Sequence, residues 1–486
     1  MELVLALDAG TTGVRTLAFD RDLAVVDEAH RELTQYYPSP GEVEHDPAEI
    51  TSLAIATLRE VAARARGRGH SVVALGIANQ RETTIGFDRD SGRVFHRAIV
   101  WQDRRTAPRC QELEHQGHGD SVRATTGLVL DAYFSATKMQ WMLERGLADA
   151  SSAPSFATID AWLIWNLSGG AFLTEPSNAS RTLLLELATL AWSPGMADLF
   201  GVPLSMLPAV VPSSSHFASV SGSAVPELAG VPIAGVLGDQ QAALFGQACF
   251  QPGLIKATYG TGSFVLANAG DAPPPVVPGL LSTVAWDLGE QSSAAFALEG
   301  SAFVAGAAAQ WLRDLGLIGA TNELEAIASS VGNSAGVQFV PAFTGLGSPF
   351  WNPDARGALS GLSRGVGRGE IARALVEALA YQVRAITEEF ARAGVELVEL
   401  RADGGAAAMD LLLQLQATNS RVEVLRSSSL EATARGAASL AGLSVGLWSS
   451  LGDLADRWSA SARFRPAEPL TVDAGYAAWL RAVERA

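Results

Sequence analysis

The sequence predicts an α/β protein of two domains facing one another across a cleft, and three observations carry that expectation. At 486 residues the chain exceeds the size at which one hydrophobic core stops growing. An apolar run, a Gly/Thr turn and a second apolar run occur twice, first around Gly10-Thr11-Thr12-Gly13 and again around Gly260-Thr261-Gly262-Ser263. Strand and helix patterns occur together in both halves, as a mixed order in the first and in alternation in the second, the signature of layered sheets and helices. The division is expected near residue 247, giving domains 1–247 and 248–486.

In the first half, residues 3–7 form a strand-length apolar run, the Gly/Thr turn follows, and residues 15–19 return as its hairpin partner. Residues 24–33 read as a third strand. Asp46-Pro47 with Glu49 marks a helix start; Ile50, Ala54, Leu58 and Val61 share one face, and Gly67 stops it. Residues 72–78 are a buried strand. Three hairpin-linked strands followed by a helix and a strand depart from the strict alternation of a dinucleotide-binding domain.

In the second half, the restarted hairpin is followed by a surface loop at 270–280, with Pro273, Pro274 and Pro275 in a row. A helix is expected at 303–315, a strand at 337–343, a long helix at 370–393, a strand at 397–402, and helices from Met409 and Glu431. Asp403-Gly404-Gly405, after a strand and before a helix, allows a third close approach of backbone to a ligand, at the nucleoside end of a nucleotide held between the domains.

Composition narrows the class. Hydrophobic residues at 48% and charged residues at 18% suit a globular enzyme and argue against a disordered chain. A net charge of −16, with a single basic cluster at 59–68, argues against a nucleic-acid partner. It leaves room for ATP, whose charge a divalent cation offsets. Cys110 and Cys249 form no C-x-x-C pattern and point to a reducing compartment. Glu2 and Asp8 spoil a signal peptide and no run is long enough to span a bilayer, so a cytoplasmic protein is expected. The sequon Asn178-Ala179-Ser180 then has no bearing.

Asp8 needs explanation, because a carboxylate ending a buried strand is costly unless solvated, paired or bound to a metal. With the N–H groups and hydroxyls of Gly10 to Gly13 it suits a Mg²⁺-bound phosphate; an ordinary hairpin is the alternative. No Walker A pattern and no G-x-G-x-x-G after a strand occurs, and Gly365-x-Gly367-x-Gly369 has the wrong spacing. No H-E-x-x-H occurs; His115 and His118 lie in a polar, exposed-looking segment. Asn79 to Thr84 follows a buried strand, where α/β folds place ligand contacts; a surface ion pair between Arg81 and Glu82 is the competing reading. Trp101 to Arg105 and Asp131 to Phe134 each set an aromatic beside polar groups, ingredients of a polyol pocket or of packing. Asp239, in Gly238-Asp239-Gln240-Gln241, is either an N-cap or a general base that also helps hold a metal.

These segments together resemble the FGGY carbohydrate kinases of the actin/hexokinase superfamily, the glycerol-phosphorylating members above all. The resemblance rests on DAGTTGVR (8–15), NQRETTI (79–85), WQDRRT (101–106), YFSATKMQW (133–141), GDQQAALFGQ (238–247), YGTGSF (259–264), LEGSAFVAGAAAQWLRD (298–314), PAFTGLGSPFW (341–351) and DGG (403–405). It implies two ribonuclease-H-like, actin-like ATPase domains with the active site in their cleft, and ATP-dependent phosphorylation of glycerol. It further implies that Arg81, Glu82, Tyr133, Asp239 and Gln240 hydrogen-bond the polyol between Trp101 and Phe264, with Asp239 as general base. Thr11, Thr12, Gly13 and Arg15 would lie near the terminal phosphates, Thr261, Gly306, Gln310, Gly405 and Met409 along the rest of the nucleotide, and Asp8 and Asp239 near Mg²⁺. A dimer or tetramer of identical chains is implied as well.

Three departures stand out: Ala9 where these kinases usually have Gln, Gly13 where they often have Ser, and Met409 where Asn usually contacts the nucleotide. Residues 221–232 lack the Arg of the loop that binds fructose 1,6-bisphosphate in some bacterial members, so that regulation is not expected. The rival readings are a kinase for another small polyol or ketose, such as erythritol, xylulose or gluconate, and a non-catalytic ATP-binding protein of the same superfamily.

Overall fold

In this computed structural model, which describes residues 1–467 and 470–486, two mixed sheets dominate. The first is built from β1 (Glu2–Ala9), β2 (Gly13–Phe19) and β3 (Val25–Glu32), then, past helix α1 (Pro47–Gly67), β4 (Ser71–Asn79), and finally β5 (Ser214–Ser219) and β6 (Pro232–Gly238). Its order is β5-β6-β4-β1-β2-β3. Seven of the eight residues of β1 are buried, as a central strand covered on both faces requires, whereas β3 at the edge carries Asp27, Glu28 and Arg31. Helix α2 (Asp239–Gly246) leaves the end of β6.

The second sheet uses β7 (Leu254–Tyr259), β8 (Ser263–Gly270), β9 (Leu281–Trp286) and β10 (Ala295–Ala302). After helices α3 (Gly306–Asp314) and α4 (Arg368–Arg392) come β11 (Glu399–Asp403), α5 (Asp410–Ser420), β12 (Glu423–Ser427), α6 (Ala432–Ser444) and β13 (Ala460–Phe464). Its order is β9-β10-β8-β7-β11-β12-β13. From β3 across to β5 the pairings run antiparallel, antiparallel, parallel, parallel, antiparallel, and from β10 across to β13 they run the same way. The repeated Gly/Thr hairpin is thus the visible part of a repeated domain plan.

Helix α6 joins the halves. It belongs to the second half of the chain but packs on the first sheet and on α2, in part by apolar side chains and in part by backbone in direct contact at glycines. A Cβ on Gly76 would lie 2.2 Å from the Ala437 carbonyl oxygen, and one on Gly436 would lie 1.8 Å from that of Ala242. Larger residues would force α6 off the sheet at Gly76 and off α2 at Gly436.

Local expectations differ from the structure in a few places. Asp46 caps α1 by accepting from the Ala48 N–H at 2.9 Å, but Glu49 completes no capping box; it accepts from Thr34 N and Oγ1 at 3.2 and 2.8 Å. The helix expected from residue 303 starts at Gly306, because Ala305 N donates to Thr261 O at 2.7 Å and straps the incoming chain to the turn. The strand expected over 337–343 shortens to Gln338–Val340, which pairs only with Ala358–Ser360 in a separate ribbon. In the basic cluster, Arg64 and Arg68 pair with Asp27 and Arg59 with Glu227. His115 is exposed and His118 half-buried; among the described residues no group of acidic, His or Cys side chains is arranged to hold a metal unaided. No described helix is long and apolar enough to cross a membrane.

Candidate active site

The parallel strands β1, β4 and β6 end in register, with Ala9 beside Asn79 and Asn79 beside Gly238. Three stretches marked by the sequence, the first Gly/Thr turn, Asn79 to Thr84 and Gly238 to Gln241, therefore open onto one edge of the first sheet. That is where α/β sheets present ligands.

In the first turn Gly10 N donates to Gly13 O at 2.9 Å, and Thr12 is exposed at the tip. Thr11 Oγ1 accepts from Trp101 Nε1 at 2.9 Å, tying the turn to the aromatic wall. A Cβ at Gly13 would meet His30 Nε2 at 2.5 Å and Arg31 O at 2.8 Å, so glycine is what packing against β3 demands here. Asp8 is buried, and Arg15 Nη2 bonds its Oδ2 at 2.8 Å. Arg15 also reaches Glu431, at the start of α6, at 2.8 Å. Burial holds the Asp8 carboxyl above its usual range, with Arg15 opposing the rise.

The second turn closes one residue tighter than the first, Gly260 N donating to Gly262 O at 2.9 Å. Gly306 N and Ala307 N at the head of α3 donate to Gly260 O and Thr261 O at 3.0 and 3.3 Å. Thr261 and Gln310 are exposed. Gly404 takes a φ of +86° against the Tyr259 backbone, while Gly405 faces open space and Met409, half-buried, precedes α5 as its N-cap residue.

Arg81 and Glu82 are only 2% and 1% exposed, which overturns the reading as a surface ion pair. Arg81 bonds Glu299 of β10 through both terminal nitrogens, at 2.5 and 2.9 Å, and its Nε lies 3.4 Å from Asp239 Oδ1. Arg181 Nε donates to Glu82 Oε1 at 2.6 Å and Arg181 Nη2 to Glu299 Oε1 at 3.2 Å. Two guanidiniums and two carboxylates thus neutralise each other across the domain boundary. Burial alone would raise the Glu299 carboxyl; Arg181 and Arg81 outweigh it and draw it down to about 2. The Arg181 guanidinium lies 5.5 Å from the centre of the Tyr133 ring, which meets Trp101 edge-on at 5.6 Å. Phe264 is half-buried on β8 opposite Ser301, and its ring joins no aromatic pair among the described residues.

Asp239 is the first residue of α2, and the N-cap is Gly238, so the N-cap reading fails. Its carboxylate accepts from Gln240 N at 2.7 Å and remains 28% exposed. Burial raises its pKa, Arg81 and Lys256 oppose the rise, and Asp8 adds to it. Gln240 Oε1 accepts from Lys256 Nζ, which also donates to Thr258 Oγ1 at 3.2 Å. Burial draws the Lys256 ammonium down to about 8. Gly238 N donates to Ser177 Oγ, itself held by the buried Glu175, so the start of α2 is anchored from behind.

Contacts therefore connect Asp8 with Arg15, Thr11 with Trp101 and Tyr133, and Arg81 with Glu82 and, through the buried cluster, Asp239; Gln240 joins through Lys256. Thr261, Gly306, Gln310, Gly405 and Met409 lie apart from that cluster, all on the second half. Sequence reasoning missed Glu299, Arg181, Lys256 and Glu431, though the first two lie in or near quoted stretches.

Comparison with known proteins decides the family. The N-terminal domain model of the FGGY family of carbohydrate kinases matches residues 3–246, and the C-terminal domain model of that family matches residues 255–445. The chain belongs to the FGGY family of carbohydrate kinases. Among FGGY relatives, the glycerol kinase of Aromatoleum aromaticum is 50% identical over 498 residues, covering 100% of this chain and 99% of that protein. The glycerol kinase of Bordetella parapertussis is 49% identical, covering 99% of this chain and 97% of that protein. The structure of Plasmodium falciparum glycerol kinase with ADP superposes with a TM-score of 0.94 at 33% identity, covering 100% of this chain and 98% of that one.

Proposed function

We infer that this chain transfers the γ-phosphoryl group of ATP to a terminal hydroxyl of glycerol, giving sn-glycerol 3-phosphate and ADP. Its half-identical relatives over full length are glycerol kinases. The observation that carries the chemistry is the convergence of Asp239, Arg81 and Glu82 at the strand end beside the Asp8 hairpin. It supplies a partly exposed carboxylate next to donors and acceptors suited to a small polyol.

In this reading Arg81, Glu82, Tyr133, Asp239 and Gln240 hydrogen-bond the hydroxyls, while Trp101 and Phe264 confine the carbon chain. Asp239 accepts the proton of the attacking hydroxyl from its partly exposed position beside Arg81. Thr11, Thr12, Arg15 and the Gly13 N–H face the terminal phosphates. Thr261, Gly306, Gln310, Gly405 and Met409 follow the rest of the nucleotide, Met409 by apolar contact. Because phosphoryl transfer passes through a loose transition state, these groups act by alignment and by offsetting charge on the oxygens, with domains 1–247 and 248–486 excluding water between them.

Mg²⁺ fits the donor set: Asp8 is a buried and Asp239 a partly exposed acid, and Asp8 is among the groups that raise Asp239. Phosphate oxygens and water would complete the coordination, and the bound ion would supply positive charge to the β- and γ-oxygens. A cytoplasmic site of action suits Cys110 and Cys249, both buried and unpaired. The assembly expected is a homo-oligomer, measurable by light scattering.

The deciding experiment offers purified protein ATP with glycerol, erythritol, xylulose or gluconate and measures ADP formed. Glycerol should give the highest kcat/KM by at least about tenfold, since a longer acceptor meets the aromatic walls. Preference for another acceptor, or ATP consumption independent of any acceptor, overturns the reading.

A further inference from the structure

We propose that Glu299, supplied by the second domain, is a positioning residue for the polyol site: it determines which edge of Arg81 faces the acceptor and, with Arg181, which oxygen of Glu82 does so. The proposal rests on the reading of that site as glycerol-binding.

Glu299 lies in the middle of β10, flanked by Leu266 of β8 and Leu281 of β9, and is fully buried. A carboxylate in such a place is expensive unless every oxygen is engaged. Arg81 Nη1 and Nη2 take its two oxygens, Arg181 Nη2 adds a bond at 3.2 Å, and Ser301 Oγ donates at 3.4 Å.

Arg81 has five N–H donors in a plane. Its outer fork is held by Glu299, and Nη1 also donates to Gln241 Oε1 at 3.2 Å. What remains is the side edge, Nε–H with the second hydrogen of Nη2. That edge faces the carboxylates of the site: Nε is 3.4 Å from Asp239 Oδ1 and 3.8 Å from Glu82 Oε1. Arg181 meanwhile occupies Glu82 Oε1, and no described residue donates to Oε2. A small polyol therefore meets one defined pair of donors on Arg81 and one defined acceptor on Glu82. Both are selected by residues that do not touch it.

Glu299 and Arg81 lie 218 residues apart, Glu299 on the second sheet and Arg81 in the loop that leaves β4 of the first, so the acceptor site is complete only when β10 stands against that loop and α2. Acceptor recognition and the apposition of the two domains are one event.

The test compares Glu299→Gln and Glu299→Asp with wild type, varying glycerol and ATP separately. In Glu299→Gln the amide offers one acceptor and turns an NH₂ against an Arg81 donor, so the fork cannot close. The expected result is a rise in the glycerol KM of roughly 30- to 300-fold, with the ATP KM within about threefold. Glu299→Asp, which keeps the charge on a shorter arm, should recover at least about tenfold of that loss. A purely structural role would lower the folded fraction and kcat while leaving the glycerol KM of the surviving enzyme unchanged. A folded Glu299→Gln enzyme with a glycerol KM near wild type, or equal rises in both KM values, overturns the proposal. Should Glu299→Gln not fold, Glu299→Asp alone decides: a glycerol KM raised severalfold with the ATP KM held supports the assignment, and an unchanged one overturns it. A wild-type protein that forms ADP no faster with glycerol than without overturns the functional reading and this proposal together, before any variant is made.

Discussion

Replacing Asp239 by Asn removes a proton acceptor together with one negative charge at the expected Mg²⁺ position. The amide oxygen can still accept from Gln240 N, which bonds the carboxylate at 2.7 Å, so the first turn of α2 keeps its geometry. Gly238 remains anchored to Ser177, and the outer fork of Arg81 stays on Glu299. A positioned general base contributes roughly 10²- to 10⁴-fold, equivalent to about 3–5 kcal/mol in the activation barrier. The glycerol KM should move by less than about fivefold, because one charge-assisted hydrogen bond gives way to a neutral one in a site with several others. The ATP KM should rise about two- to tenfold, because the Asp239 carboxylate is also one of the two that would hold Mg²⁺. Initial rates of ADP formation, varied in each substrate with folding checked by circular dichroism, separate these effects. A kcat within tenfold of wild type, or a loss confined to the glycerol KM, would refute the assignment of Asp239 as base.

Trp101→Phe keeps an aromatic wall but deletes the 2.9 Å bond to Thr11, so the ATP KM should rise about two- to tenfold with a smaller change for glycerol; equal changes in both would detach Thr11 from the nucleotide. Gly436→Val places a Cβ where 1.8 Å separates it from Ala242 O, and urea titration should show a loss of more than about 3 kcal/mol, whereas Gly332→Ala, with nothing within 4 Å, should stay within about 0.5 kcal/mol. Buried His45 has its pKa lowered by burial to about 4 from 6.5, so the folded state excludes a proton that the unfolded state binds between those values. That contribution is present above pH 6.5 and lost as pH falls towards 4, roughly 3 kcal/mol in all. Denaturation at pH 7 and pH 4 should therefore show a smaller acid loss for His45→Gln than for wild type, and parallel losses would discount the group.

The repeated hairpin was legible because it is local: apolar runs with Gly and Thr between them need no tertiary information. The strand ending at Asn79 and the cap at Asp46 were legible for the same reason. Arg81 with Glu82, and Asp239, were visible as chemistry-bearing positions, yet spacing alone left each with a bland alternative, since exposure is set by residues elsewhere in the chain. Glu299 and Lys256 were passed over because a single charge inside an apolar strand has no local partner to mark it. The late start of α3 escaped notice because the competing bonds come from Thr261, over forty positions upstream.

Where α6 meets the first sheet, backbone touches backbone at Gly76 and Gly235, while Leu440 and Leu443 of the helix join Leu17, Phe19 and Leu237 of the sheet in one buried apolar cluster. A seam of that kind resists rolling, because turning one lobe on the other would unseat those packed side chains. The charged links across the boundary add to that stiffness, and these differ in kind. Arg15–Glu431 is a third and a quarter exposed to solvent and yields to added salt, whereas Arg81–Glu299 is sealed from it. Ionic strength should therefore loosen the lobes on the nucleotide side first, making the molecule a hinge whose two edges answer to different solvents.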